Sequence, residues 1–312
     1  MRIGDPTLPE LMRRARGSGL IWRVGPFLVR LRSRSASFLA TFQTLYADHR
    51  LCESDCGEVV EFHIELRQDR FLRRWWHPRV FFELDGPTEL LPFPLDHAFP
   101  FFEWGFNFGI ALRANRYLML HAGVVARGDR ALILPALPGS GKSTLSAALV
   151  ARGWRLLSDE FGLVEPERGF MQPLPRPIAL KNESIDVMRQ FAPGAVIGPV
   201  FPKTRKGRVA HMKPPLESVR DEESLACPAW VVTPRFRRGA ALSLDAMGED
   251  HGFMRLAGHS FNYEMMGERG FREVVRMTRR CRFFELTFGD LGEAVDCLER
   301  LVEGQGESRV LV

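Results

Sequence analysis

The stretch Ala136-Leu-Pro-Gly-Ser-Gly-Lys-Ser-Thr144 decides the reading of this 312-residue chain. It follows an apolar run, Ala131-Leu-Ile-Leu134, and opens a helix-like run, Leu145-Ser-Ala-Ala-Leu-Val150. Strand, glycine-rich loop and helix in that order are the context of a phosphate-binding P-loop. Gly139 and Gly141 let the backbone turn tightly and bring the N–H groups of Pro138's successors, Gly139 to Lys142, toward an anion. The helix N-terminus adds partial positive charge at the same place. Lys142 then reaches the outer phosphates, the hydroxyl of Ser143 is placed to hold Mg²⁺, and Ser140 and Thr144 complete the cradle that begins at Pro138. Ala136 stands where the motif usually has its first glycine. The motif implies nucleotide binding, and leaves kinase, ATPase and switch open.

Composition bounds the alternatives. A formal net charge of +5 suits an anionic ligand, but the charge is spread along the chain. No basic block is interleaved with aromatics in the manner that grips nucleic acid. No apolar stretch approaches the roughly 20 residues needed to span a bilayer, and the N-terminus lacks a signal-peptide core, so a cytoplasmic location with no membrane partner is expected. The cysteines are odd in number and scattered. Cys52 and Cys56 have metal-pair spacing, but no second pair or histidine cluster completes a zinc site.

Around the loop, the hydrophobic pattern divides the chain. Residues 57–67 alternate, with Val60, Phe62, Ile64 and Leu66 on one side and Glu61, His63, Glu65 and Arg67 on the other, which predicts a half-buried strand. Strands are also expected at 79–84 and 27–31, and a helix near 36–46. A proline-rich joint (Pro87, Pro92, Pro94, Pro100) separates a small β-rich α+β domain, 1–95, from a second domain, 96–312. The second begins with an aromatic helix at 101–115, expected to pack one unit on the other. A hairpin follows over 117–134, then the P-loop helix and a short strand, 155–158. Further strands are expected at 178–180, 229–233, 242–246 and 282–288, and helices at 183–191, 268–279 and from Leu291 onward. The proline-rich, basic segment 199–215 reads as a loop.

Three features could carry chemistry beside the P-loop. Asp159-Glu160 follows the P-loop by one helix and one strand, where a carboxylate can hold the metal or accept a proton from an attacking hydroxyl. His121 lies on the strand before the P-loop strand, where proximity to phosphates is possible. The cations of 199–215, with Arg208 and His211 preferred, suit a lid that meets phosphates or an acidic substrate; Arg176 and Lys181 are weaker alternatives.

The order His121-Ala-Gly-Val-Val125, P-loop, Gly153-Trp-Arg-Leu-Leu-Ser-Asp-Glu160 resembles the catalytic domain of the HPr kinase/phosphorylase family, most closely over 117–180. The whole chain is more similar to the divergent HPr-kinase-related proteins, which include kinases of peptide or amino-acid serines. Pro175-Arg-Pro-Ile-Ala-Leu-Lys181 and His259-Ser-Phe-Asn-Tyr263 are phrases similar to theirs. The resemblance implies a PEP-carboxykinase-like P-loop domain with a mixed sheet, and the 117–134 hairpin agrees with that rather than with a doubly wound parallel sheet. It assigns Lys142 and Ser143 to phosphate and Mg²⁺, and matches His121 to an active-site histidine. Asp159 and Glu160 match an acidic pair. Glutamate replaces the usual second aspartate, which leaves open which acid is the base and which faces the metal.

The expectation is therefore an ATP- and Mg²⁺-dependent serine kinase acting on a peptide or small protein, with the N-terminal unit recruiting or orienting the substrate. Self-association into a homo-oligomer is compatible with it. The rivals are an ATPase or nucleotide switch without an acceptor, and a noncatalytic peptide-binding pseudokinase. No Leu-Ser-Gly-Gly-Gln signature of a transporter ATPase is present. Whether phosphate is also removed by inorganic phosphate is left open.

Overall fold

The computed structural model describes residues 1–52, 57–69, 76–137 and 139–304. The chain is α/β with mixed sheets and divides into two compact units. The first unit holds 1–113, 176–187 and 194–220, and the second holds 114–175, 188–193 and the chain from 221. The expected boundary at 95 thus falls inside the first unit, which also takes in the aromatic helix and two later segments.

In the first unit, helix α1 (Leu8–Arg16) starts where Glu10 accepts a 2.8 Å hydrogen bond from the Thr7 backbone N–H. Strands β1 (Leu20–Val24), β2 (Phe27–Ser33), β3 (Leu51–Cys52), β4 (Phe62–Gln68), β5 (Arg79–Leu84) and β6 (Phe93–Pro94) form a six-stranded sheet in the order β3-β1-β2-β4-β5-β6. Only β2 and β4 run parallel. The alternation that predicted β4 is realised: Phe62, Ile64 and Leu66 are buried and His63 and Glu65 are partly exposed. Helix α2 (Ala36–Leu45) is capped by Ser35, whose hydroxyl accepts from Phe38 N. After a 3₁₀ turn at Leu95–His97, helix α3 (Ala98–Arg113) packs on β4 and β5. Gly105 permits that approach, because a Cβ there would lie 2.3 Å from the Phe82 ring.

The rest of the first unit includes β12 (Ile178–Lys181), the first half of α5 (Glu183–Phe191), β13 (Phe201–Thr204), β14 (Gly207–Met212) and α6 (Leu216–Arg220). The segment read as a loop is therefore a hairpin in a sheet of order β12-β14-β13. Its prolines are accommodated without breaking the ladder. Pro202 sits on the edge strand β13, where a missing N–H costs no ladder bond. The turn is closed by Gly207 at φ 81° and by the Thr204 hydroxyl, which accepts from Lys206 N.

A buried polar knot lies in this unit. Arg176 donates to Glu103 Oε2 and to Asn107 Oδ1, both at 2.6 Å, and the Tyr46 hydroxyl donates to Glu103 Oε1 at 2.7 Å. His211, 1% exposed, presents its ring edge-on to Phe99 with centroids 5.1 Å apart. Neither ring nitrogen has a hydrogen-bond partner among the described residues. Burial, with help from Arg176 and Lys181, pushes the His211 pKa down to about 3.

The second unit is built on a sheet of order β11-β10-β7-β8-β15-β17-β16 with β9 also paired to β7. Its strands are β7 (Leu118–Arg127), β8 (Arg130–Pro135), β9 (Arg155–Ser158), β10 (Phe161–Glu165), β11 (Phe170–Gln172), β15 (Cys227–Phe236), β16 (Ser243–Met247) and β17 (Arg282–Phe288). Strands β8, β15 and β17 are mutually parallel, whereas β7 and β8 form the expected antiparallel hairpin. Helix α4 (Lys142–Ala151) follows the P-loop and packs against β7 and against α10 (Leu291–Val302). The other face of β7 presents Leu118, Leu120, Ala122, Val124 and Ala126 to a core. That core also holds Leu256 of α7 (Glu249–Gly258) and Val274 and Met277 of α9 (Glu268–Arg280), with Tyr263 and Met266 of the short α8 (Tyr263–Met266) packed beside them. No described helix is long and apolar enough to cross a membrane.

Because the folded state holds His211 neutral, acidification must favour the unfolded chain, which accepts the proton at an ordinary pKa near 6.5. The stability this histidine contributes is complete above pH 6.5 and is lost as pH falls from there toward 3. Denaturant unfolding of His211→Leu is expected to show a loss between pH 7.5 and pH 5 smaller than wild type by about 2 kcal/mol. Equal losses in the two proteins would show that His211 is not held neutral.

Candidate functional site

Strand β8 ends at Pro135, and the chain turns through the P-loop into α4. Gly139 and Gly141 have φ of 88° and 89°, the left-handed region that favours glycine. Gly141 is also confined: a Cβ there would meet Phe236 at 3.0 Å and Phe288 at 3.2 Å. The loop is tied to β15 where the Phe236 N–H donates to the Ser140 carbonyl at 3.0 Å. Both glycines thus take the backbone conformation that so tight a turn requires. Pro138 lies outside the described residues.

Lys142 opens α4 and is only 8% exposed, yet its ammonium has no hydrogen-bond partner among the described residues. The hydroxyls of Ser140 and Ser146 are likewise buried without one. What brings α4 so close to the sheet is Gly123. A Cβ on it would stand 2.3 Å from Ser146 Oγ and 3.5 Å from Lys142 Cγ. The stem of Lys142 thus lies over β7 on the face that Gly123 shares with His121, two residues away.

The acid pair reaches the same level by strand register. Ser158 on β9 pairs with Val124, and Phe161 on β10 pairs with His121. Asp159 and Glu160 connect those strands beside Ala122 and Gly123, which in turn pair with Pro135 and Leu134 of the P-loop strand. Two strand spacings of about 4.8 Å separate the acids from the loop entry. His121 Nε2 lies 3.6 Å from Glu160 Oε1. Asp159 is 7% exposed. The second unit thus sets the Lys142 stem and His121 on the Gly123 face of β7, carries the acid turn at the level of Ala122 and Gly123, and holds Ser143 and Thr144 in the first turn of α4.

Two further residues belong here although no role follows from their sequence context. Where β8 leaves β7 at Ala122, the segment after α7 takes over the vacated edge: His121 N donates to the His259 carbonyl at 2.6 Å, and Phe261 N to the Met119 carbonyl at 2.8 Å. Asn262 fixes the segment by accepting from Met119 N at 3.0 Å and donating to the Tyr117 carbonyl at 2.9 Å. Phe261 stacks on Phe161 at 4.6 Å and sits 5.2 Å from the His121 ring. His259 Nδ1 lies 2.9 Å from the Arg255 carbonyl, which can only accept, so the proton is on Nδ1 and Nε2 offers a lone pair. That Nε2 is buried without a partner among the described residues. Burial above all, with Arg255, His121 and Lys142 nearby, holds the His259 pKa below its ordinary value against the hydrogen bond to Arg255, which raises it. Thr233 is the second. It is 5% exposed with an unpartnered hydroxyl, and continuing the β15–β8 register places it opposite Pro135.

The remaining expected residues lie in the first unit. Arg208 pairs with Asp186 at 3.1 Å on an exposed surface, and His211 is the buried neutral ring described above. Three residues apart on β14, they face opposite sides of the strand and form no common cationic surface. Arg176 is consumed by Glu103. Cys56 lies outside the described residues. Among the described residues no group of three or more His, Cys, Asp or Glu side chains is placed to hold a metal, so a cation here would need the Ser143 hydroxyl and ligand oxygens as well as the acids. No protein-family model matches the chain, and no curated protein matches it.

The contact at Gly123 gives a direct test. Gly123→Ala should destabilise the protein by about 1–3 kcal/mol through overpacking against Ser146 Oγ. Ser146→Ala removes that oxygen and leaves only its Cβ, 3.6 Å away, so the double variant should recover most of the loss in denaturant unfolding. Additive losses would place the strain elsewhere.

Proposed function

We propose that this protein binds ATP with Mg²⁺ at the P-loop and transfers the γ-phosphate to a hydroxyl of a peptide or small protein. We propose further that it is an HPr-kinase-related phosphotransferase with a PEP-carboxykinase-like catalytic domain; the choice of serine as acceptor rests on that resemblance alone. The observation that carries the reading is the Lys142 ammonium, buried and unpartnered among the described residues at the mouth of a helix. A buried cation is costly without a counter-charge, and a triphosphate on the loop supplies one.

The residues fit both ligands. Oxygen donors from Ser143 and from Asp159 or Glu160 suit Mg²⁺, a hard cation that keeps ligand and water oxygens in its shell. When bound, the ion neutralises charge on the outer phosphates. The backbone of 139–142 holds the phosphates and Lys142 meets the outer ones. One acid faces the metal, and the other accepts the proton of the attacking hydroxyl. His121, 3.6 Å from Glu160, orients that carboxylate. The stacked rings of Phe161 and Phe261 give this part of the site an apolar wall. Positioning and charge stabilisation supply most of the acceleration in such a reaction. The mixed sheet is compatible with the family resemblance.

The test is incubation of the full chain with γ-labelled ATP, Mg²⁺ and a panel of serine peptides and small proteins, followed by mass spectrometry. Label should appear on an acceptor hydroxyl, and Lys142→Ala should lower transfer by about 10²–10³-fold, the scale of losing a preorganised charge-stabilising group. Asp159→Asn and Glu160→Gln should each slow transfer, and raised Mg²⁺ should partly restore only the metal-facing variant. Label found solely in inorganic phosphate would replace this reading with the ATPase. Peptide binding indifferent to ATP, with no transfer, would replace it with the noncatalytic module.

A further inference from the structure

The C-terminal end of α1, the end of β2 and strand β4 enclose a cavity of about 700 Å³ within the first unit, lined by 15–17, 32–34 and 65–69. Two of its charges are already engaged, Arg67 with Glu83 and Asp69 with Arg79. Arg16, Arg32 and Arg34 are different. All three are exposed, and their side chains make no ion pair or hydrogen bond among the described residues. Among the described lining residues only Glu65 stands against them, Asp69 being engaged, so the lining carries an excess of positive charge. Part of this has a local cause, because Arg16 with Arg13 and Arg14 complements the negative end of α1. Arg32 and Arg34 have no such role.

Their placement is specific. Ser33 between them is 3% exposed, so Arg32 and Arg34 lie on the same, solvent-facing side. Residues two apart on a strand are about 7 Å apart, which is also the repeat of alternate side chains in an extended peptide. The backbone beside them is open. The β2–β4 register ends with Ser33 opposite Leu66, where the chain turns into α2, while β4 runs on to Gln68. Beyond Leu66 the edge of β4 that faced β2 has no strand partner among the described residues, a feature that invites an added strand.

We propose that this cleft docks an extended acidic peptide segment of a partner protein, its backbone pairing with the open edge of β4 and its alternate carboxylates meeting Arg32 and Arg34. Charge complementarity and the strand edge together select this occupant. Single-stranded nucleic acid would be expected to stack its bases on aromatic side chains, and none of the described residues lining the cleft is aromatic. The inference stands apart from the phosphotransfer reading.

A short fluorescent peptide of alternating glutamate and threonine, titrated into the full chain and followed by anisotropy, tests it. Binding should weaken with salt and should be lost when the glutamates are replaced by glutamine. Arg32→Glu/Arg34→Glu, with circular dichroism unchanged, should raise Kd by at least about tenfold. Arg32→Gln/Arg34→Gln should do so more mildly and serves if the reversal fails to fold. Lys142→Ala should bind the peptide as wild type does, which separates this site's failure from failure of the P-loop reading. Absence of binding, equal binding of the glutamine peptide, unchanged Kd in the folded variants, or tighter binding of a single-stranded oligonucleotide at the same arginines would overturn the proposal.

Discussion

The second unit depends on the approach of helix α4 to strand β7 at Gly123. Any side chain there would put its Cβ 2.3 Å from Ser146 Oγ, while only reaching ordinary contact with the stem of Lys142. With glycine, the helix lies against the strand and its first residue is drawn over the sheet, so the lysine head is buried at the loop rather than free in solvent. The same glycine sets the level at which everything else arrives. It pairs with Leu134, at the end of the P-loop strand, and the acid pair connects β9 to β10 beside it. A P-loop of correct sequence on a helix held further away would leave Lys142 hydrated and separate from the carboxylates.

Strand β7 does more than pair. Along one edge it carries β9 and then β10, and along the other β8 and then the 259–262 segment. Each change of partner falls near Ala122 and Gly123. Departing strands leave backbone groups that must be satisfied, and where β8 leaves, the His121 N–H and the Met119 carbonyl are met by His259 and Phe261. The polar atoms gathered at that change of partners, Lys142 Nζ, Ser140 Oγ, Ser146 Oγ and His259 Nε2, are buried without hydrogen-bond partners among the described residues. Native interiors rarely leave such groups unpaired, and a concentration of them beside a helix mouth is what a polar ligand would complete.

Local signals made much of this legible. Strands β5 and β17 occupy the expected 79–84 and 282–288, because apolar positions there follow the pleat. The P-loop reads from its glycines, and both adopt the positive φ the motif requires. Other elements were hidden for identifiable reasons. Strand β10 is nearly all buried and contains a glycine, so it shows no alternation. The β13–β14 hairpin was masked by edge-strand proline and by the burial of Ala210, His211 and Met212 in sequence. His211 and Arg208 share a basic stretch but not a face, a distinction that only strand geometry makes. The phrase around His259 is legible as a family likeness, but its place at the site, like that of Thr233, comes from register with β7 and β8, across more than a hundred and about a hundred residues respectively, and no local pattern encodes that.

The central claim is that the buried ammonium of Lys142 and the carboxylates of Asp159 and Glu160 serve one triphosphate. A crystal structure of the protein with Mg²⁺ and a nonhydrolysable ATP analogue tests it most directly. The account predicts Lys142 Nζ within hydrogen-bond distance of the outer phosphates, with Mg²⁺ held between those phosphates, the Ser143 hydroxyl and one of the two acids. An analogue bound away from 139–144, or bound there with both carboxylates turned from the metal and the terminal phosphate, would contradict it.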